Sequence, residues 1–260
     1  MSTTTFLIIV GVQYVLSHFF HTSYLHRYVT HEMYMMGEKT EKVFFFLTWF
    51  FQGPAFLDDI TYAKMHLEHH AHSDQEDDPH SPLNFSKWKW GLDFPVAASK
   101  MMWHTKKLFM EIKEGRSTIS KMYSEKRFLN WTEFRKFTRS YTSMLGWGAI
   151  YIMFYVLFAP NPWYWLILPI NLLAGPIQGA IVNWCGHMWG FRRYNTPDNS
   201  RNTPVLNLIS FGETNQNNHH RFPKMINFAK SVWEIDLAYP ILRVLHWCKV
   251  IYIPDQGGYR

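Results

Sequence analysis

The sequence predicts an all-α integral membrane protein with three spans, a further apolar segment that re-enters or lies in the interface, and a cytoplasmic helical cap carrying a histidine-rich site. Three observations carry this. Apolar and basic residues are segregated: all 26 Lys and Arg fall within residues 22–42, 58–141 and 186–260, and residues 1–21, 43–57 and 142–185 contain none. Aromatic residues make up 18% of the chain, including many of the Trp and Tyr that favour membrane–water boundaries. The 14 histidines are gathered into boxes, most of them at the ends of apolar runs. One domain over residues 1–260 is expected, with apolar segments 5–24, 43–57, 142–160 and 163–185 and a cap made of 58–141 and 186–260.

The first run, Thr5–Phe20, reaches spanning length together with its neighbours up to Tyr24. A signal peptide would need a basic start and small residues at a cleavage site, and neither is present. His26 and His31 follow, five residues apart. On an ideal α-helix they diverge by about 140°, so they face one site only if the helix ends or bends there.

Residues 43–57 would be only about 22 Å long as a helix, and Gly53-Pro54 interrupts them. Histidines stand before and after this run. If they share a site they lie on the same side of the membrane, so the run must enter and return or lie flat. Residues 58–141 are polar and cationic, with an amphipathic stretch at Trp88–Lys107 and breaks at Ser81-Pro82 and Gly91. Residues 142–160 and 163–185 read as a helical hairpin through the membrane, joined at Pro160-Asn161-Pro162. The joint carries no charge while both flanks are basic, which places the flanks and every histidine box on the cytoplasmic side and the short N-terminus outside. Trp233–Tyr252 looks amphipathic and broken at Pro240.

Net charge is +6 and the isoelectric point about 9.2. The basic residues flank apolar runs and form no nucleic-acid signature, so lipid is the expected partner and nucleic acid is not. Cys185 and Cys248 form no CxxC pair. No GxGxxG stretch or iron–sulfur spacing is present, so electrons must come from another protein.

His66-Leu-Glu-His69-His70 is the stretch around which the rest is organised. Positions i, i+3 and i+4 share one helix face, and folding has no use for three imidazoles there. A divalent metal does, because neutral imidazole is its commonest side-chain ligand. With His26, His31, His187, His219 and His220 there are eight boxed imidazoles, too many for one zinc and suited to two iron ions. Asp74, Asp78 and His80 lie in an acidic run read as a solvated loop, and are candidates to orient ligand imidazoles. His18 and His21 are expected to pack the first span, and His104 and His246 to be surface or packing residues. Arg192, Arg193 and Arg201 could meet substrate phosphates, though a basic flank accounts for them too.

The pattern resembles the integral-membrane fatty acid desaturases, in particular their acyl-CoA desaturase branch. The matching stretches are His26-Arg27-x-x-x-His31, His66-x-x-His69-His70, Asp78-Pro79-His80-Ser81-Pro82, Asn183-x-x-x-His187 and Gly212-Glu213-x-x-Gln216-Asn217-Asn218-His219-His220-x-Phe222-Pro223, so the likeness runs from about residue 10 to 240. The resemblance implies a di-iron centre on the eight histidines, with Asn183 holding a metal-bound water. It also implies a fatty acyl substrate, as acyl-CoA, and electrons from a ferredoxin or a small haem protein with its reductase. Gln216 stands where many relatives have histidine, and this amide could bind directly, act through water or leave one position open. The acyl tunnel is expected to draw aromatic residues from 43–57 and 142–185. A hydroxylase on the same scaffold is the nearest rival. A non-catalytic metal protein is the next, and it predicts ionisable residues inside the spans, where only His18 and His21 lean that way.

Overall fold

The computed structural model describes residues 1–88, 93–123 and 128–256. Its first helix, α1 (Thr3–Phe20), runs without a break into a π-helical segment, His21–Thr30. The other helices are α2 (Glu38–Gln52), α3 (Asp59–His72), α4 (Phe94–Lys113), α5 (Ile119–Met122), α6 (Thr132–Thr138), α7 (Tyr141–Phe158), α8 (Leu168–Leu172), α9 (Ala174–Met188), α10 (Asn207–Ser210), α11 (Gln216–Arg221) and α12 (Ala238–Trp247). Among the described residues no strands pair into a sheet, and the few backbone bridges, such as Met35 with Tyr252, are isolated. The break expected at Gly91 lies outside the described residues.

Local chemistry sets the helix starts. The Ser2 hydroxyl accepts from the Thr5 amide at 3.1 Å, the Asp58 carboxylate from Thr61 at 2.9 Å, and the Ser140 hydroxyl from Ser143 at 3.1 Å, each satisfying an otherwise orphaned donor. Two helical stretches, Thr3–Thr30 and Tyr141–Phe158, are long and apolar enough to cross a membrane. The outward faces of both are hydrocarbon: Ile8 is 58% exposed and Val156 64%, a surface suited to lipid.

The third expected span differs from a straight helix. Pro162–Ile167 is a 3₁₀ turn, α8 follows, and α9 leaves at 67°, so a third crossing exists only if this bent pair counts as one. Proline explains the breaks. Pro169 and Pro176 each sit in the first turn of a helix, where a missing N–H costs nothing, so each begins a helix instead of continuing one. The same rule corrects the expected break at Pro240, which lies in the first turn of α12.

The short apolar run 43–57 ends in a turn between two helices, α2 and α3. α2 stops at Gly53, whose φ of +54° suits glycine, and a β-carbon there would lie 2.8 Å from the Tyr151 hydroxyl. On the other side the Ala55 carbonyl approaches Gly175 so closely that a β-carbon would meet it at 3.1 Å. The tip of the turn is therefore wedged between the middle of α7 and the start of α9, and α3 follows it. Behind it, Phe20, Tyr24 and Leu25 of the first helix pack with Phe44 and Phe45 of α2 and Leu242 of α12. A buried Arg27–Asp236 ion pair at 2.8 Å, with the guanidinium over Phe228, fastens the π segment to the C-terminal region.

Candidate metal centre

The histidines meet where the π segment, α3, α9 and α11 converge, and they form two groups. In the first, the ring nitrogens of His26, His31, His66, His70 and His219 all lie within 4.8 Å of one another; in the second, those of His69, His187 and His220 do. α3 serves both. His66 and His70, one turn apart, enter the first group, while His69 points to the second.

The π segment settles how His26 and His31 share a site. The His31 amide donates to the His26 carbonyl at 3.1 Å, an i to i+5 bond, and the rings come to 4.9 Å between centroids. Widening the helix by one residue per bond turns positions five apart onto one side, which an α-helix cannot do. The helix also ends at His31, so the expected end is present, but the π geometry does the aligning.

In the first group the Nε2 atoms of His26 and His219 are 3.1 Å apart, those of His66 and His70 3.0 Å, and those of His70 and His219 3.0 Å. That is the spacing of neighbours around a metal bound at about 2.1 Å. In the second group the three ring centroids are mutually 5.1 Å apart, and the Nε2 atoms of His69, His187 and His220 are buried without a partner among the described residues. Unpartnered, converging imidazole nitrogens fit a metal.

Carboxylates fix the rings. Asp78 accepts from His69 Nδ1 at 2.9 Å, Asp74 from His187 Nδ1 at 2.9 Å and Asp198 from His220 Nδ1 at 2.7 Å, and a Glu213 carboxylate oxygen lies 2.5 Å from His26 Nδ1. An ionised carboxylate only accepts, so each hydrogen-bonded partner donates through Nδ1 and turns the lone pair of Nε2 to the centre. Burial alone would raise Asp78 and Asp198, but hydrogen bonds and charge from His69 and His220 hold both well below the usual carboxylate range. Burial, reinforced by neighbouring imidazoles, keeps His66, His70 and His219 far below the usual histidine range, and brings His220 to about 4 against the pull of Asp198. These four lowered rings are neutral, the form in which imidazole binds a metal, whereas at His187 burial is outweighed by Asp74, which pushes the ring up.

Of the acidic run, Gln75–Asp77 are exposed as expected, but Asp78 is buried and Asp74 largely so. The two ends of this supposed solvated loop are the carboxylates that hold His69 and His187. His80 is buried against the His69 ring, 4.4 Å between centroids; its ring nitrogens bond to none of the described residues, and with His69 and Asp78 it forms a third cluster whose ligand atoms lie within 4.8 Å of one another. Glu213 and Asp198 escaped the sequence reading. Glu213 could have been found, three residues before Gln216; Asp198 lies in Pro197-Asp198-Asn199-Ser200, which reads only as a turn. Asn217 holds that loop in place, accepting from the Arg193 and Tyr194 amides at 2.8 and 2.7 Å.

Gln216 sits on α11 with its Oε1 buried and unpartnered among the described residues, pressed so closely on Gly186 that a β-carbon there would collide with its side chain. Gln216 and Asn183 line a cavity that reaches His66. Its wall is not the aromatic one expected from 43–57 and 142–185. Leu57 and the small residues of α9 from Gly175 to Val182 form one side, and Tyr62, Met65, Met102 and Phe109 the other, because α7 packs against the tip of the turn after α2 and away from the histidines.

The remaining polar residues have structural partners. His18 bonds the Tyr14 carbonyl at 2.9 Å, His72 pairs with Glu68 at 2.9 Å, and His246 accepts from the Ile253 amide at 3.1 Å. Arg193 pairs with Glu234 at 3.0 Å, Arg192 donates to the Thr196 carbonyl at 2.6 Å, and Arg201 to the Gly190 carbonyl at 3.2 Å, so each of these arginines has a partner in the surrounding loops.

A family model described as fatty acid desaturase matches residues 4–244. The Delta-9 desaturase-like 5 protein of Arabidopsis thaliana is 26% identical over 242 residues, which cover 90% of this chain and 71% of that protein. Delta-9 acyl-lipid desaturase 2 of the same plant is 28% identical over 72% of this chain and 55% of its own length. The icosanoyl-CoA 5-desaturase of Limnanthes douglasii is 28% identical over 85% of this chain and 56% of its own length. The chain thus spans little more than half the length of most of these curated relatives.

Proposed function

Because the chain belongs to the fatty acid desaturase family, an oxidoreductase family of lipid metabolism, we propose that it introduces a cis double bond into a saturated acyl chain carried as acyl-CoA. Two neighbouring methylenes each lose a hydrogen, and dioxygen, taking these, two protons from solvent and two electrons from a separate ferredoxin or small haem protein with its reductase, leaves as two waters. In this reading two iron ions supply the oxygen chemistry, one held by His26, His31, His66, His70 and His219, the other by His69, His187 and His220 with Gln216 and an Asn183-bound water.

The chain's own part is positional. A methylene C–H has no acidity for a side-chain base to exploit, so the protein must hold one methylene pair beside the histidines and keep water out. The cavity reaching His66 supports this, with its apolar lining of Leu57, Met65 and Val182. The observation that carries the reading is the sharing of α3 between two adjoining groups of converging imidazoles, at the end of an apolar cavity. The protein is read as multi-pass, with the histidine boxes on the cytoplasmic side and the N-terminus outside.

The test is the fatty-acid profile, by gas chromatography with mass spectrometry, of cells expressing the chain or its His69→Ala variant together with an electron donor. A new monounsaturated acid made only by the unmodified chain is expected. A hydroxy acid in its place would mean hydroxylation, and an unchanged profile despite bound iron would remove the desaturase reading.

A further inference from the structure

The cavity that reaches His66 is mostly hydrocarbon, yet it contains an amide with nothing to bond. Gln178, on α9, is 4% exposed and lines the cavity, and among the described residues neither its amide nitrogen nor its amide oxygen has a hydrogen-bond partner. Burying an amide in this way costs free energy that a leucine of similar size would not incur. His21 adds a second polar group to the same space, its Nδ1 3.4 Å from the Gln52 amide nitrogen.

Gln178 lies five residues before Asn183, about 7.5 Å along the helix, on the side away from His187. On α9 it stands between Gly175, which is pressed against Ala55 and Leu57, and Asn183. A plain methylene chain passing this point would leave its amide unsatisfied.

We propose that the acyl chain accepted by this cavity carries a hydrogen-bonding oxygen, a hydroxyl or keto group, on its hydrocarbon part, bound by the Gln178 amide. An amide both donates and accepts, so it fits either group. The proposal rests on the acyl-substrate reading above and names the class of acyl chain.

The test is equilibrium binding to the full-length protein in detergent. The probes are octadecanoyl-CoA and its hydroxy and keto derivatives, with the oxygen moved stepwise from mid-chain to the methyl end. At least one derivative is expected to bind about fivefold more tightly than the saturated compound. Gln178→Leu should erase that preference, chiefly by tightening the saturated chain, and Gln178→Met, of similar length but without the amide, should do the same. Thermal unfolding of both variants guards against a folding defect. Equal binding of all the compounds, as an ordered water on Gln178 would produce, overturns the proposal, and so does a preference that survives both substitutions. Failure of every acyl-CoA to bind is a different result, and it overturns the acyl reading itself.

Discussion

In the group formed by His26, His31, His66, His70 and His219, five imidazoles crowd around one point and their nitrogens approach to 3.0 Å. In the group formed by His69, His187 and His220, three rings stand in a triangle, each with a carboxylate on its far nitrogen: Asp78, Asp74 and Asp198. The first arrangement relies on the number of ligands. The second makes fewer ligands more basic, since a carboxylate on Nδ1 pushes electron density towards Nε2. Two adjoining groups on one shared helix thus suit a metal by different means, and each can be perturbed separately.

Removing a ligand gives the largest effect. His66→Ala and His69→Ala should each lower product formation at least about 100-fold and halve the iron bound per chain, measured by plasma mass spectrometry. Loss of all iron from either variant would show that the groups behave as one site. Removing a carboxylate acts next. Asp198→Asn should weaken the three-histidine site about 10–100-fold, seen as one early step in a chelator titration while the other iron stays bound. Glu213→Gln, with four other ligands left around His26, should shift the five-histidine site by about tenfold at most. Equal sensitivity to the two changes would erase the distinction drawn above.

Gln216 sharpens it further. Gln216→His should add a ligand to the poorer group and raise iron retention, whereas Gln216→Leu should lower it. Gly186→Ala pushes a methyl group into the Gln216 side chain, so it should mimic Gln216→Leu and cost about 1–3 kcal/mol of stability in thermal unfolding. Identical iron retention in the Gln216→His and Gln216→Leu proteins would take Gln216 out of the site.

The smallest effect concerns protons: the lowered rings of both groups share one sign, while His187, which burial alone would lower but Asp74 raises, opposes them. His220 has its pKa lowered from 6.5 to about 4, and His66, His70 and His219 are also lowered. Between about pH 6.5 and 4 the unfolded chain binds protons that these folded rings refuse, so stability falls as the pH falls through that window. The unfolding temperature of metal-free protein in detergent should drop between pH 7 and pH 5. A rise would mean that the rings are charged in the folded state.

Much of this was legible in the sequence because it is local. His66, His69 and His70 announce a ligand-bearing helix by spacing alone, and Gly53-Pro54 announces the end of α2. Prolines misled: Pro240 looks like a break when only its neighbours are counted, but a proline in the first turn starts a helix, and helix starts are set by where the preceding chain comes from. The acidic run misled for a related reason. Asp74 and Asp78 read as solvated until His187 and His69 are seen beside them.

The sequence by itself determined that this chain is helical, that at least two of its segments are apolar enough to cross a membrane, and that its boxed histidines suit a metal, because hydrophobic runs and i, i+3, i+4 spacings are properties of consecutive residues. Only the tertiary structure decided that His66 and His70 belong to one group and His69 to the other, that a π-helical register brings His26 and His31 together, and that Asp198 and Glu213 stand behind His220 and His26. Those facts depend on which distant segments pack against each other, and the energy of that packing is shared by the core of aromatic residues and by buried pairs such as Arg27 with Asp236, which no local pattern encodes.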